Sequence, residues 1–449
     1  MHLVINNLLH SKAPLMVVLR YVLVLLVILM GIERLRIILV LLTNPKSYLD
    51  RDLLTYYLMS KAFLANLNPY LPLNELALRF VGSPSDLTHP APCTPIMILL
   101  FVPLALLSLG NSIVVWFVIE ILLLVAIAYM LTILWSEKPN VLGAILIFFF
   151  MLAWYPIMVD LLYGQLTILL TALVLAALLA IRKDQKILAG ILIGFSMAIK
   201  MYTWPLIVYF AVKKDWRTFM ANCLTFVGLN LIALFLIGVG PITDYYLRVA
   251  MQVSSFYHSF LQNYSVWSIG YRLFEGTKPI GGDFISAPPL VSLPGFSLIV
   301  SAGLAVSFLI IGLIWAKRSK DLDIAYSIII CVLIAISPIS WDHYYLMAII
   351  PMAVLLHVLS RQSFPTWPTL IFIIIAFMLF FFNDHIADII FILNGKEFLQ
   401  ATGNRITFSS SLLEILPMVE LVTLSVLLWR IDVQQTKAAI NSGLHDTSS

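Results

Sequence analysis

Charge is scarce in this chain. Asp, Glu, Lys and Arg together make up 11% of its 449 residues, less than half the roughly 25% of a soluble domain, which excludes a water-exposed surface over most of the length. Cysteine is scarcer still. Cys93, Cys223 and Cys331 lie far apart, so neither a disulfide framework nor a CxxC metal site can be assembled. No GxGxxG follows a strand-like run and no GxxxxGK[ST] occurs. The glycine loops that cradle nucleotide phosphates are thus excluded, and with them an ATP-driven pump or a cytosolic nucleotide-sugar site. No fixed-period repeat is found. Lys plus Arg (27) exceeds Asp plus Glu (23) too mildly and too diffusely for a nucleic-acid partner.

What the chain has instead is apolar length: 61% of its residues are hydrophobic. A bilayer core about 30 Å thick needs about 20 apolar residues per helix. Such runs recur at 94–110, 111–135, 140–158, 165–181, 187–212, 218–240, 295–316, 324–339, 344–360, 369–383 and 411–430. Ala13 to Gly31 follows Lys12 and no small-residue cleavage site follows it, so it reads as an uncleaved first transmembrane helix. The expected fold is an all-α polytopic membrane protein of about eleven to thirteen spans. Residues 1–430 form one membrane domain, and the polar residues 431–449 a loose cytoplasmic tail.

Three basic clusters, Arg182/Lys183/Lys186, Lys213/Lys214/Arg217 and Lys317/Arg318/Lys320, hold nine of the 27 basic residues in short loops, which places all three in the cytoplasm. Segment 187–212 then carries positive charge at both ends, with Lys200 and Pro205 between them. It is expected to enter the membrane and return as a hairpin or as two broken helices. The stretch 94–110, interrupted by Pro95 and Pro103, raises the same question of a re-entrant path. Two long polar-aromatic stretches fall on the extracytoplasmic side, about 32–93 and about 241–294. The first opens with Glu33-Arg34-Leu35-Arg36. Non-helical backbone cannot face lipid, so these loops fold over the membrane surface or line a polar cavity.

Asp52 stands in Asp50-Arg51-Asp52-Leu53-Leu54-Thr55-Tyr56-Tyr57, followed by Asn66-Leu67-Asn68-Pro69-Tyr70. A partly buried carboxylate at the outer face, ringed by tyrosines, can take a proton from a hydroxyl. It can equally be a solvated acid paired with Arg51. Asp50 and Asp52 also form an Asp-x-Asp pattern able to hold a divalent cation, weak support for a metal. The second site is Ser337-Pro338-Ile339-Ser340-Trp341-Asp342-His343-Tyr344-Tyr345, where an imidazole joins a carboxylate and aromatics at the membrane boundary. That mix suits sugar orientation or proton sharing, or is an aromatic belt with an incidental histidine. Lys200, about 12 positions from either basic cluster, costs roughly 2.5–3.5 kcal/mol even on the gentlest scale unless it faces a cavity or an anion such as phosphate. Pairing with a buried carboxylate or snorkelling is the alternative. Gly164-Gln165, Asn263-Tyr264-Ser265, Arg272, Arg79 and His89 are weaker signals, and Asn263-Tyr264-Ser265 is also a formal glycosylation sequon.

These motifs resemble glycosyltransferase family 87, within the polytopic GT-C class. Asp52-x3-Tyr56-Tyr57 with Asn68-Pro69-Tyr70, Gly164-Gln165, Ala189-Gly190 to Lys200, and Ser337-Pro338-x-Ser340-Trp341-x-His343 carry the likeness. The resemblance implies a GT-C-like bundle and an inverting hexose transfer, mannose by family default, from a polyprenyl-phosphate donor to a glycolipid or glycan acceptor. It implies Asp52 as base, with His343 in the same pocket. Lys200, Arg272 and Arg79 are then candidates for the donor phosphate, and Tyr56, Tyr57, Asn68, Tyr70, Gln165, Asn263 and Trp341 for sugar and acceptor. No cofactor is implied. The pattern departs at Asn66, where glycine is expected, although asparagine tolerates positive φ. With no transit or retention signal, the expected location is a bacterial plasma membrane. Two readings of another kind stay open: a carrier or flippase using the same intramembrane charges as a path, and a structural subunit in which Asp52 and His343 are incidental.

Overall fold

The computed structural model describes residues 14–44, 48–49, 51–136, 139–278, 285–360, 371, 386, 388–390, 392–403 and 405–446. Asp50 and nearly all of the 369–383 run lie outside them. Among the described residues the protein is helical, with three isolated β-bridges and no strand.

The first helix, α1 (Pro14–Leu42), runs straight through Glu33-Arg34-Leu35-Arg36, where a loop was expected to open. Glu33 and Arg36 satisfy each other one turn apart at 2.7–2.8 Å, so the local polarity does not end the helix. The loop that follows folds into α2 (Leu53–Leu64) and α3 (Leu73–Val81). Asn66, just past α2, takes φ +56°; asparagine here adopts the left-handed turn for which glycine was expected.

The next helices are α4 (Pro95–Ala105), α5 (Leu109–Trp135), α6 (Val141–Ala153) and α7 (Tyr155–Tyr163). Proline at the first turn starts α4, where its missing N–H leaves no bond unmade. At 11 residues, α4 rises only about 16 Å and cannot cross a bilayer. The pair α6 and α7 bends by 74°. Next come α8 (Thr167–Arg182), α9 (Lys186–Ile199), α10 (Pro205–Val212) and α11 (Trp216–Ile237). α9 breaks at Lys200, whose backbone is extended (φ −148°, ψ 115°), and α10 restarts at Pro205. A Cβ on Gly190 would lie 2.5 Å from Thr218 O, and one on Gly194 2.6 Å from Asn222 O. These two glycines therefore let α9 press directly on the backbone of α11, as small-xxx-small pairs do in membranes.

The second loop region holds α12 (Val239–Asp244), a π turn (Tyr245–Val249), α13 (Ala250–Tyr257) and α14 (Trp267–Phe274). After it come α15 (Phe296–Arg318), α16 (Leu322–Ile336), a 3-10 segment (Asp342–Ala348), α17 (Ile349–Ser360) and α18 (Leu416–Asp446). Of the expected tail, residues 431–446 are described. α18 continues through it, with Ile431 and Asp432 buried and Asp432 accepting a 2.9 Å bond from Ser319.

Among the described residues five helices are long and apolar enough to cross a membrane, six counting the bent pair; five shorter apolar segments accompany them. The apolar runs divide into long spans and short or broken helices. Lipid is the fitting solvent for the exterior: Phe235 on α11 is 88% exposed, untenable in water beside neighbours as apolar as Leu231, Ile232 and Leu236.

Contacts sort the helix ends. Arg182 pairs with Asp323 and donates to Leu134 O at 2.9 Å, while Lys213 Nζ donates to Ser319 O at 2.7 Å. All three basic clusters therefore meet on one face, and 187–212 enters and returns as the hairpin its charges demand. Lys200 is the apex of that hairpin.

Candidate active site

Opposite the basic face, side chains from four separate segments converge. Asp52 is the residue that precedes α2, and it is half-buried. Burial raises its carboxyl above the usual range; the Lys200 charge and the Gln165 hydrogen bond pull it back only in part. Gln165 Nε2 donates to Asp52 Oδ2, and Tyr56 Oη donates to Gln165 Oε1 at 3.2 Å. One end of the amide thus fixes the carboxylate and the other is fixed by tyrosine, leaving the carboxyl a single orientation.

Gln165 is set by the turn before it. Gly164 ends α7 with φ +64°, and a Cβ there would lie 2.9 Å from Leu53 Cβ. Glycine is needed twice over, for the left-handed backbone and for the approach to the residue next to Asp52. Asp160 completes the turn: its carbonyl accepts from Gln165 N at 2.9 Å. Its carboxylate accepts from Thr167 N at 3.2 Å and Ile168 N at 3.4 Å, meeting the orphan amides that open α8.

Lys200 Nζ sits 4.2 Å from the Tyr344 ring centroid and 5.9 Å from that of Tyr202. Among the described residues it makes no ion pair and no hydrogen bond. Its charge acts on Asp52, on Asp160 and on His343. His343 is 4% exposed, packs 4.9 Å from Tyr344, and its Nε2 has no hydrogen-bond partner among the described residues. Trp341 is half-buried, edge-on to Tyr257 at 5.7 Å, and Tyr257 lies within electrostatic reach of Asp52. Among the described residues no group of three metal-ligating side chains forms.

The structure thus brings together Asp52, Tyr56, Gln165, Lys200 and His343, with Trp341 alongside. It sets the other sequence candidates elsewhere or engages them internally. Tyr57 Oη donates to Leu107 O at 3.0 Å and Tyr70 Oη to Cys93 O at 2.9 Å. Asn68 lies beyond the far end of α2, about 18 Å along the helix from Asp52, and its Oδ1 caps Tyr70 N at 2.9 Å. Arg79 is exposed on α3.

Asn263 is fully buried. It accepts from Ser340 N at 3.0 Å and Ser265 N at 3.2 Å, and donates to Pro338 O at 3.0 Å. It staples the second loop to the Ser337–Tyr345 motif and has no room for a glycan, which removes the sequon. Arg272 is 2% exposed and spends its guanidinium on Ser411 O, Leu261 O and Asn263 O. Burial draws it down to about 10 against the opposing charge of Glu414.

Asp160 was missed by sequence reasoning, as was Glu120, 1% exposed within α5 and beside it. The signal was available: a lone carboxylate in an apolar run is expensive in a membrane.

A family model for glycosyltransferase family 87 matches residues 94–338, just over half of the chain. Gly164, Gln165, Lys200 and Tyr257 fall within the matched stretch; Asp52 and His343 lie outside it. No curated protein matches the chain significantly.

Proposed function

The chain belongs to glycosyltransferase family 87 and is a multi-pass membrane glycosyltransferase, and on that premise we propose that it moves a hexose from a polyprenyl-phosphate donor to an acceptor hydroxyl at the extracytoplasmic face. Asp52 is the general base in this reading. It takes the acceptor proton as the hydroxyl oxygen attacks the anomeric carbon. The bond from that carbon to the phosphate oxygen breaks, its electron pair leaves with the phosphate, and the anomeric configuration inverts.

The observation that carries the reading is Lys200: an ammonium resting on the Tyr344 ring, with no ion pair or hydrogen bond among the described residues, within electrostatic reach of a half-buried carboxyl. Such a cation is balanced when an anion binds, and it stabilises the charge that develops on a departing phosphate. Raising the Asp52 pKa by burial suits a base, because proton transfer is most effective when the acceptor's pKa lies near the working pH. Gln165 and Tyr56 hold that base in place, while His343 Nε2 and the Trp341 ring are the groups left to meet the sugar. Mannose is the favoured hexose by family habit, and a bacterial plasma membrane the favoured setting. The carrier and structural-subunit readings give way with the family assignment.

The test is transfer by the purified protein in liposomes, with labelled polyprenyl-phosphate mannose and a glycolipid acceptor. Wild type should transfer; Asp52→Ala should lose at least about 10³-fold, and His343→Ala about 10²-fold. Full turnover by a folded Asp52→Ala protein removes the base. Movement of label without a new glycosidic bond restores the carrier.

A further inference from the structure

The two extracytoplasmic loop regions pack on each other, Tyr70 stacking on Tyr245 at 5.4 Å, and one short side-chain hydrogen bond also joins them. His89, from the first, places Nε2 2.7 Å from the hydroxyl of Tyr257, at the end of α13 in the second. Its other ring nitrogen, Nδ1, lies 2.7 Å from the carbonyl oxygen of Pro90. A carbonyl only accepts, so Nδ1 carries the proton. In the neutral ring Nε2 is then an acceptor, and the Tyr257 O–H donates to it. Desolvation lowers the pKa of His89, against a smaller opposing effect of the Pro90 carbonyl, which favours that neutral ring.

This fixes the polarity of Tyr257. Its single proton is committed to His89, so toward anything else its oxygen can only accept. The ring is also clamped: it meets His89 edge-on at 5.5 Å, Phe260 at 4.8 Å and Trp341 at 5.7 Å, and the Tyr257 carbonyl accepts from Asn263 at 3.3 Å. Trp341 belongs to the same motif as His343, and Asp52 lies within electrostatic reach of Tyr257. The oxygen is therefore an acceptor on the aromatic wall that Tyr257 shares with Trp341, and such rings suit a carbohydrate.

We propose that Tyr257 is a substrate-binding residue that accepts a hydrogen bond from a sugar hydroxyl, and that His89, in its Nδ1-protonated tautomer, is the positioning residue that makes it an acceptor. The subsite takes a hydrogen-bond donor and rejects groups that can only accept, such as a phosphate or a methyl ether. It deepens the transferase reading and rests on it.

The experiment uses the full chain in liposomes with polyprenyl-phosphate mannose, alongside Tyr257→Phe, His89→Ala, His89→Gln and the double variant His89→Ala/Tyr257→Phe. Each sugar substrate is also supplied as its monodeoxy analogues. Tyr257→Phe should raise the KM of one substrate about threefold to tenfold, the range of one neutral hydrogen bond, with kcat changed less. His89→Ala should match it, and the double variant should lose no more than either single change. His89→Gln, which returns an acceptor oxygen near the Nε2 position, should recover most of the loss. One monodeoxy analogue should be handled equally by wild type and Tyr257→Phe, because the hydroxyl that Tyr257 would have accepted from is gone. Additive losses, or a folded Tyr257→Phe that discriminates against every deoxy analogue as wild type does, overturn the subsite and leave the transferase standing. Failure of wild type to transfer overturns both.

Discussion

Replacing Gly164 with alanine tests the link between backbone and base most directly. The residue holds φ +64°, a conformation that costs an L-residue roughly 1–2 kcal/mol. The added methyl would stand 2.9 Å from Leu53 Cβ, 3.1 Å from Leu53 Cδ1 and 3.4 Å from Trp116 Cδ1. Carbon pairs rest at about 3.5–4.0 Å, so the turn and the start of α2 must part by roughly 0.6–1.1 Å. Rotating the Leu53 side chain relieves the contact at Cδ1 but not the one at Cβ. The two chains forced apart are those carrying Gln165 and Asp52, each one residue away. A displacement near 1 Å at a reacting group lowers rate by up to about 10²-fold. Gly164→Ala should therefore lose about 10- to 100-fold in kcat/KM and about 2–3 kcal/mol of stability. Transfer kinetics and thermal unfolding in the same detergent measure the two. Gly164→Asn separates the causes, because asparagine tolerates the left-handed backbone but still carries the Cβ. Its stability loss should be smaller while its activity loss persists. Wild-type kcat/KM in a folded Gly164→Ala protein would refute the coupling of this turn to the base.

Removing the Lys200 charge should move a pH profile in a fixed direction. Burial raises Asp52 and Lys200 opposes it, so Lys200→Met lets the carboxyl rise further. The base works ionised, hence the acid limb of kcat/KM should shift to higher pH, together with a higher KM for the donor. Asp52→Asn should alter stability with the opposite sign from activity. Because the folded-state pKa is raised, the native protein keeps a proton that the unfolded chain has lost, over the window above the ordinary carboxylate value. Stability therefore falls as pH rises through that window, and the variant, read by thermal unfolding against pH, should lack that fall and be the more stable protein above it. Arg272→Met should behave as a folding defect: it leaves the buried carbonyl oxygens of Ser411, Leu261 and Asn263 without their donor, at about 1–3 kcal/mol for each one left unpaired. The expected outcome is a lower folded yield, with an unchanged donor KM in the fraction that folds.

Where the sequence succeeded, a physical constraint left few alternatives. Positive charge at both ends of 187–212 and a lysine between them permit little but a hairpin, and the contacts of Arg182 and Lys213 bear it out. Where it failed, local polarity hid a neighbour. Glu33 and Arg36 looked like the edge of a loop because their mutual bond along a helix cannot be weighed without knowing the helix. Asn263 and Arg272 looked available for ligands because their partners, Ser340, Pro338, Leu261 and Ser411, lie far away in sequence or are backbone atoms that composition does not display. Asp160 went unread for the reverse reason. A carboxylate serving the amides of its own turn belongs to no recognisable spacing, yet it shapes Gln165 and through it Asp52.

Helix length then explains how such polar groups stand near lipid at all. α8, α9 and α16 have 16, 14 and 15 residues, so they rise about 24, 21 and 22 Å. The hydrocarbon core is about 30 Å thick. Each has one end tied to the basic face, through Arg182, Lys186 and Asp323, so the other end must stop roughly 6–9 Å short of the opposite surface. Gln165, Lys200 and the Ser337–His343 motif follow from those three shortened ends. α5, with 27 residues, rises about 40 Å and overtops them. The polar cluster therefore sits at the ends of the shorter helices, below the end of α5 and under the two loop regions that His89 and Tyr257 help to join. Under the proposed transfer, short helices of this kind let a headgroup-level phosphate approach Asp52 while the apolar tail of the same molecule stays in lipid. The same arrangement predicts a dependence on bilayer thickness: in liposomes of long-chain lipids, the KM for a polyprenyl-phosphate donor should rise while kcat holds. An equal KM across thin and thick bilayers would mean that the donor enters from water, over the top of the loops.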